Sequence, residues 1–271
     1  MTDDHEFQAL LAKISAERDF RCASYKEKCL RRRIGVRLRA RGIHDYAAYA
    51  RLLDGDAREY EKLLDTLTIN VTKLFRNWET YTALAERVVP SLWRMGAAAG
   101  AAVNVWSAGC SSGEEAYSLA VLLHQHALRL GESDRVARVH VLGTDIDRES
   151  LLRAGRGTFV DAAFADTPAE LRARYFSAQA PHAVDPAVRG MVRFERRDLI
   201  NDPAPAGQHL IACRNVLIYF DRETQEQLFR RFHDALVPGG YLVLGKVETL
   251  LGPTRSLFDP VDARERIFQR R

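Results

Sequence analysis

The sequence has no long hydrophobic run, few cysteines and little excess of charge of either sign. None of its apolar stretches approaches the ~20 residues that a membrane-spanning helix needs. The start, MTDDHEFQAL, lacks the basic and apolar regions of a secretory signal. The four cysteines lie far apart without a C-x-x-C pair, which argues against a disulfide framework or a zinc knuckle. We therefore expect a cytoplasmic protein that does not insert into membranes.

The composition is that of a globular protein with a full core. Of the 271 residues, 46% are hydrophobic and 28% are charged, which suits one large domain and a smaller one. The small, weakly patterned stretch 94–102 predicts a boundary that separates residues 1–94 from residues 95–271. Before it, the apolar spacing predicts an all-α N-terminal domain with a basic helix and with further helices over 7–14, 46–53, 60–67 and 78–93.

Beyond residue 102, predicted strands and helices alternate. The strands fall over 103–106, 139–144, 209–213, 241–245 and 266–269, and the helices over 114–129, 148–154 and 222–236. This rhythm is typical of the α/β class with a doubly wound, mostly parallel sheet. Residues 155–197 interrupt it with prolines and short β-like pieces, which predicts a small inserted β-subdomain.

Positive charge is concentrated in residues 18–41, which hold eight Arg and two Lys against one Asp and one Glu. On a helical wheel Leu30, Ile34 and Leu38 share one face, whereas Arg31, Arg32 and Arg39 point away from it. Two interpretations carry about equal weight from this pattern alone. The face is either an ordinary solvated surface or a docking surface for an acidic protein or a nucleic acid.

Ligands of open parallel sheets bind beyond the carboxyl ends of the strands, where the winding reverses. The residues at these ends are, strand by strand, Gly109, Gly113, Glu114 and Glu115, then Asp145 and Asp147, then Arg214, Asn215 and Tyr219. A dinucleotide site would need G-x-G-x-x-G, and two acids at the start of a helix repel phosphate.

Glu114 and Glu115 by themselves suit the first turn of any helix, where each acid is worth about 0.3–1 kcal/mol, and Asp147 suits a helix cap. Asp145 is less easily explained in this way, because an acid that ends a buried strand needs a polar partner. Taken together, the acids favour S-adenosylmethionine, whose ammonium, sulfonium and ribose groups match carboxylate acceptors.

Four motifs, WSAGCSSGEEAYSLA, GTDID, CRNVLIYFD and LTINVTKLFR, match in order and spacing those of CheR-type chemotaxis protein methyltransferases. The resemblance spans nearly the whole chain. It implies a Rossmann-like class I methyltransferase sheet and transfer of a methyl group from S-adenosylmethionine to glutamate side chains on the cytoplasmic helices of bacterial chemoreceptors, with S-adenosylhomocysteine as the product. The inserted subdomain resembles the part that grips a receptor pentapeptide in some relatives, and the sequence leaves that use open here.

The resemblance also implies a role for individual residues. Arg76 and Tyr219 correspond to catalytic residues, Tyr219 as the aromatic residue near the transferred methyl. Asp145 corresponds to the ribose-binding acid, and Asp198 with Leu199 to the pair beside the adenine, although Asp198 stands where the family carries Asn. The cofactor-binding set implied is Asn70, Thr72, Arg76, Glu114, Asp145, Asp198, Leu199, Arg214 and Asn215. Without the motifs, Arg76 and Tyr219 would be interpreted as a surface Arg and a core Tyr.

The proposed chemistry needs neither a catalytic triad nor a metal ion. A glutamate with a pKa of about 4.3 is already ionised at neutral pH, and alignment of reactants alone contributes about 7–11 kcal/mol. Arg76 is suited to orient a carboxylate through a bidentate pair. Chemoreceptor methylation helices are rich in glutamate, so Arg31, Arg32 and Arg39 are candidates for substrate docking. We expect a monomer.

Two alternatives belong to other functional classes. A nucleic-acid methyltransferase would place the arginine helix on phosphates. Against it, the sequence has no [ND]-P-P-[YFW] motif, and Cys213 lacks the preceding proline of a cytosine nucleophile. A binding module that senses the cofactor without turnover is the second alternative. The usable residues at every presumed pocket position argue against it without excluding it.

Overall fold

The computed structural model describes residues 2–18, 20–67, 72–98 and 102–271, which form two compact units. The first unit comprises Met1–Ile69 and Ile218–Thr224, and the second comprises Asn70–Leu217 and Gln225–Arg271. The sequence predicted the boundary at 94/95, whereas the units divide at 69/70. The reason is hydrophobic packing, because Val88, Leu92 and Trp93 share one core with the sheet residues that follow them.

The first unit is helical, with α1 (Thr2–Arg18), α2 (Glu27–Arg41), α3 (Tyr46–Gly55) and α4 (Ala57–Leu67). In α2 the residues Leu30, Ile34 and Leu38 are buried, as their spacing predicts. This helix ends at Gly42, whose φ of 66° belongs to the left-handed region that glycine adopts without strain. Asp45 caps α3, because its Oδ1 accepts a hydrogen bond of 2.6 Å from the Ala48 amide.

A buried ionic cluster joins three helices of this unit. Glu59 on α4 has a fully buried side chain and accepts hydrogen bonds from Arg37 Nε (2.9 Å) and Nη2 (2.7 Å) on α2. The hydroxyl of Tyr49 on α3 donates to the same carboxylate at 2.9 Å. Two charges are thereby kept away from water in a hydrogen-bonded arrangement that repays part of the desolvation.

The described part of the second unit contains nine strands. They are β1 (Val103–Ala108), β2 (Val139–Asp145), β3 (Thr158–Phe159), β4 (His182–Ala183), β5 (Val192–Arg196), β6 (Gln208–Cys213), β7 (Leu236–Leu244), β8 (Phe258–Asp262) and β9 (Ile267–Arg270). The main sheet has the order β5-β2-β1-β6-β7-β9-β8, and β9 runs antiparallel to both of its neighbours. The pairs β5–β2, β2–β1, β1–β6 and β6–β7 are all parallel. They confirm the doubly wound α/β class.

Helices connect these strands, and the winding reverses between β1 and β6. The helices are α5 (Trp78–Ala83), α6 (Val89–Ala98), α7 (Glu114–Arg129), α8 (Arg148–Arg156), α9 (Ala169–Tyr175), α10 (Pro186–Gly190) and α11 (Arg222–Ala235). A π-helical turn, Leu84–Val88, joins α5 to α6. Within the described ranges, no helix combines the length and the apolar character needed to cross a bilayer.

The predicted insertion differs in extent and in content from the structure. Its last piece, β5, pairs with β2 and forms the edge of the main sheet. In the remaining 157–191, a segment that we call the insert, β3 and β4 form a small antiparallel pair, and helical turns cover more residues than strands. Strand β8 was not predicted, because its sequence FDPVD contains residues that are rare in strands. Its edge position allows the proline.

We expect Glu59→Ala to lower the free energy of unfolding by about 3–5 kcal/mol, since it leaves the largely buried Arg37 without its partner. The control is Asp54→Ala, which removes a surface ion pair with Lys13 and should cost less than about 1 kcal/mol. Urea unfolding followed by circular dichroism measures both variants. Equal losses would contradict the assigned role of the cluster.

The same cluster makes stability depend on pH. Burial alone would raise the pKa of Glu59, but hydrogen bonds from Arg37 and Tyr49 outweigh burial and lower that pKa. A lowered pKa in the folded state adds stability above the unfolded value of about 4.3, and this stability is lost as the pH falls further. The difference in unfolding free energy between wild type and Glu59→Ala should therefore be constant near neutrality and shrink below about pH 4.

Candidate functional site

The loop that joins β1 to α7 is built for close approach to its backbone. Gly109, Ser111 and Gly113 have φ values of 80°, 50° and 93°. In this region the backbone of residues other than glycine is strained. A Cβ on Gly109 would lie 2.5 Å from a methyl carbon of Val216. The amides of Gly109 and Cys110 both donate to Thr144 O, at 2.8 and 2.9 Å. The loop is thereby fixed to the end of β2.

Asp145 lies at the carboxyl end of β2 and faces this loop. Its Oδ2 accepts from the Ser111 amide at 2.8 Å, and its Oδ1 accepts from the Asp147 amide at 2.9 Å. Burial raises the pKa of Asp145, and these two amides oppose the rise. Asp147 caps α8 through the Glu149 amide, at 2.9 Å, as the sequence predicts. Asp145 is therefore a partly desolvated acceptor at the switch point of the sheet.

Of the two acids that start α7, Glu114 is buried and Glu115 is half-buried. Glu114 is 6% exposed, and Ser112 Oγ lies 2.8 Å from its nearer carboxylate oxygen. Glu115 accepts from Ser107 Oγ at 2.7 Å and lies 3.7 Å from Arg214 Nη1. Burial raises the pKa of both acids, and Arg214 opposes the rise at Glu115. Acids that only stabilise the first turn of a helix would remain in contact with water. Favourable placement in a first turn therefore does not by itself explain these two residues.

Arg214, at the end of β6, binds the segment that precedes α5. Its Nη2 donates to Arg76 O at 2.7 Å and to Asn77 Oδ1 at 3.2 Å, and its Nη1 contacts the hydroxyl of Tyr81 at 3.4 Å. Its Nε is buried and has no hydrogen-bond partner among the described residues. The family motif predicts a cofactor contact for Arg214. The structure shows that both terminal nitrogens hold protein groups, which leaves Nε for such a contact.

The predicted residues before α5 lie on a strained loop. Thr72 and Arg76 are half-buried, whereas Asn70 lies outside the described residues. Phe75 and Asn77, on either side of Arg76, have φ values of 53° and 62°. Burial raises the pKa of Glu115, and the positive charge of Arg76 opposes this rise, so Arg76 acts electrostatically at the start of α7.

Asn215 is held by a carboxylate that the sequence analysis missed. The φ of Asn215 is 62°, and its backbone amide donates to Glu248 Oε2 at 2.9 Å. The Gly245 amide donates to the same oxygen at 2.6 Å. Glu248 thus joins the carboxyl ends of β6 and β7. Glu248 follows the predicted strand over 241–245 much as Asp145 follows the strand over 139–144, so an acid shortly after a strand is the sequence signal for both.

Asp198 and Leu199 lie in a tight turn after β5. Asp198 Oδ1 accepts from the Ile200 amide at 2.8 Å, and its Oδ2 accepts from Asn201 Nδ2 at 2.7 Å. Arg231 on α11 donates to Leu199 O at 2.6 Å. The carboxylate of Asp198 therefore shapes the turn, and an acid serves that purpose without donating a proton.

Most of the predicted site residues lie at one edge of the second unit, at the carboxyl ends of β1, β2, β5 and β6. Tyr219 lies in the segment that groups with the first unit, where the guanidinium of Arg33 covers its ring at 4.3 Å from the centroid. Arg33 is 4% exposed, and its Nε and Nη2 have no hydrogen-bond partner among the described residues. The helical pattern singled out the outward arginines of α2, and the buried Arg33 was not among the predicted functional residues.

The three predicted docking arginines of α2 differ in their contacts. Arg31 binds Asp4 and Glu27 at 2.6 and 2.7 Å and stacks on the ring of Phe7. Arg32 and Arg39 are exposed. Val36, which is 45% exposed, lies between them at helical spacing. We call Arg32, Val36 and Arg39 the α2 stripe. Arg31 is engaged within the first unit and lies outside this stripe.

Comparison with known proteins identifies both units. Residues 70–267 match the family described as "CheR methyltransferase, SAM binding domain", and residues 5–68 match "CheR methyltransferase, all-alpha domain". The chain is 33% identical to a chemotaxis protein methyltransferase of Listeria innocua over 84% of each chain. It is 37% identical to chemotaxis protein methyltransferase 1 of Pseudomonas aeruginosa over 70% of each.

A longer relative also matches. The chain is 36% identical to a 104.1 kDa protein of Rhodobacter capsulatus, with 90% of this chain covered. It spans only 25% of the length of that relative.

We expect Glu248→Ala to weaken binding of S-adenosylhomocysteine about tenfold or more, because the buried amide of Gly245 and the half-buried backbone amide of Asn215 lose their acceptor at a cost of about 1–3 kcal/mol each. Glu248→Gln keeps an acceptor oxygen and should bind nearly as wild type. Asp259→Ala, which removes a surface pair with Arg271, is the control. Titration calorimetry measures all three, and wild-type affinity of the alanine variant would contradict the role assigned to Glu248.

Proposed function

Because the chain belongs to the CheR methyltransferase family, we propose that it transfers the methyl group of S-adenosylmethionine to glutamate side chains of chemoreceptor cytoplasmic helices. The products are glutamate methyl esters and S-adenosylhomocysteine. Dependence on S-adenosylmethionine is a property of the family. The glutamate acceptor and the receptor are the proposed part. The observation that carries the proposal is the group of carboxylates around a small-residue loop at the carboxyl ends of β1 and β2, of which Glu114 is buried and Glu115 and Asp145 are half-buried.

The donor set of this edge fits S-adenosylmethionine. Glu114 and Asp145 present carboxylates whose pKa is raised by burial, so a cationic ligand nearby would stabilise their ionised forms. Ser111 Oγ and Arg214 Nε are buried and lack a hydrogen-bond partner among the described residues. A polar ligand would satisfy these two atoms. When bound, S-adenosylmethionine supplies an activated methyl group on a sulfonium.

We assign roles to the chain's own groups as follows. Asp145 binds the ribose hydroxyls, Glu114 lies by the methionine moiety, and the turn of Asp198 and Leu199 receives the adenine. Arg76 orients a carboxylate, and Tyr219 lies near the transferred methyl. The remaining cofactor contacts proposed from the motifs are Asn70, Thr72, Arg214 and Asn215.

The acceptor chemistry suits a site without a general base. A glutamate is ionised at neutral pH, so it carries no proton that must be removed before attack. What the protein contributes is orientation, for which the guanidinium of Arg76 is suited through paired hydrogen bonds. Arg214 holds the carbonyl of Arg76 at 2.7 Å, which supports a fixed position for this residue.

The α2 stripe suits an acidic helical partner. Two exposed guanidinium groups flank an exposed Val36, so a helix with acidic residues around an apolar position is complementary to it. Glutamate-rich methylation helices have this chemistry. We propose that the stripe docks the receptor in the cytoplasm, and that the enzyme acts as a monomer.

The acceptor can be tested directly by incubating the protein with tritiated S-adenosylmethionine and receptor cytoplasmic fragments. We expect label on the receptor that mild base releases as methanol, as a glutamate methyl ester requires. Fragments in which the methylated glutamates are replaced by alanine are the control. Base-stable label, or label on added RNA, would contradict the proposal, and binding of cofactor without any transfer would favour a sensing module.

Docking can be tested by charge reversal. We expect Arg32→Glu combined with Arg39→Glu to lower kcat/KM for receptor about tenfold or more at low salt, because like charges then face the acidic helix. The loss should diminish in 0.5 M salt, where screening is nearly complete. The matched control is Arg51→Glu with Arg58→Glu, which makes the same charge change at exposed sites on α3 and α4. Equal effects of the two pairs would contradict a specific docking surface.

A further inference from the structure

The loop that carries Arg76 is strained and needs external support. The residues on both sides of Arg76, Phe75 and Asn77, have left-handed backbones with φ of 53° and 62°. Such conformations are costly for residues with side chains and persist only where surrounding contacts impose them. The contacts that impose this conformation are therefore contacts that place Arg76.

One set of contacts comes from the sheet side of the second unit. Arg214 Nη2 donates to Arg76 O at 2.7 Å and to Asn77 Oδ1 at 3.2 Å. Ser118 Oγ on α7 accepts from the Phe75 amide at 2.9 Å. These contacts fix the loop from the side where the predicted cofactor residues lie.

The second set comes from the insert. The Leu74 amide donates to Ala163 O at 2.9 Å, and the hydroxyl of Thr167 donates to Leu74 O at 3.3 Å. Asp166 reaches both ends of the loop. Its Oδ2 accepts from the Asn77 amide at 3.0 Å, and its Oδ1 lies 3.4 Å from Lys73 Nζ. The carboxylate of Asp166 therefore contacts the loop both before and after Arg76, at groups that Arg214 does not contact.

We propose that Asp166 is a positioning residue for methyl transfer, and that through it the insert holds Arg76 in its working conformation. The inference rests on the proposed function for the role of Arg76. The Asn77 amide is the group whose orientation the positive φ dictates, and a carboxylate is a stronger acceptor for it than water or a neutral group. Removal of the carboxylate leaves the Asn77 amide without its acceptor, whereas the contacts of Leu74 with Ala163 and Thr167 remain.

A double-mutant cycle with Arg76 tests this assignment. We expect Asp166→Ala to lower kcat/KM for methyl transfer and to weaken S-adenosylhomocysteine binding, with about a tenfold loss in at least one of the two. Asp166→Asn keeps an oxygen that accepts from the Asn77 amide and should recover much of the loss. In an Arg76→Ala background, Asp166→Ala should cause no further loss, because a positioning residue acts only through the residue it positions.

The matched control is Asp161→Ala. Asp161 belongs to the same insert and pairs with Arg172 and His182 instead of the loop, so this variant should retain wild-type kcat/KM. Thermal unfolding of every variant reports whether the fold is kept. Wild-type activity and affinity of Asp166→Ala would overturn the inference. Losses that are the same with and without Arg76 would also overturn it, because they would show a general structural effect.

Failure of the proposed function has a different signature. If the wild-type protein transfers no methyl group to glutamate, the acceptor assignment is wrong, and the cycle is then read in S-adenosylhomocysteine affinity alone. Non-additive losses between Asp166 and Arg76 in that affinity would still support positioning. Additive losses would overturn it.

Discussion

The contact on which the site most depends is the burial of the Arg214 guanidinium between Glu115 and the loop before α5. A buried guanidinium requires acceptors around it, and the structure supplies them from Glu115, the Arg76 carbonyl and the Asn77 side chain. Because one rigid planar group contacts all of them, the end of β6, the start of α7 and the position of Arg76 are linked. Asp166 supports the same loop by accepting a hydrogen bond from the Asn77 amide.

Acidic residues give the carboxyl edge of the sheet its chemical character. Phosphate-binding sheets present bare amides at a helix start, whereas here Glu114, Glu115 and Asp145 are gathered at the switch point between β1 and β6. Burial raises the pKa of all three. Their removal from water costs free energy when they are ionised, and a cationic methyl donor relieves this cost.

In the first unit, only some of the many arginine side chains are exposed to solvent. The sequence counts eight arginines between residues 18 and 41, but many of them serve the unit itself. Arg37 binds Glu59, Arg31 binds Asp4 and Glu27, and Arg33 covers the ring of Tyr219. Arg32, Val36 and Arg39 of the α2 stripe remain exposed. A charge count therefore overstates a docking surface wherever guanidinium groups have internal partners.

The sequence by itself determined the fold class, the switch-point acids and the cofactor, because apolar periodicity and motif spacing are local properties of the chain. It did not locate the unit boundary, the strands β5 and β8, or Glu248 and Asp166. Asp166 lies 89 residues beyond Asn77 and accepts a hydrogen bond from its backbone amide. No local pattern encodes a contact over that distance in sequence. Tertiary packing alone decided which charged side chains are buried, which are paired and which hold the loop of Arg76, since partners distant in sequence meet only in the folded chain.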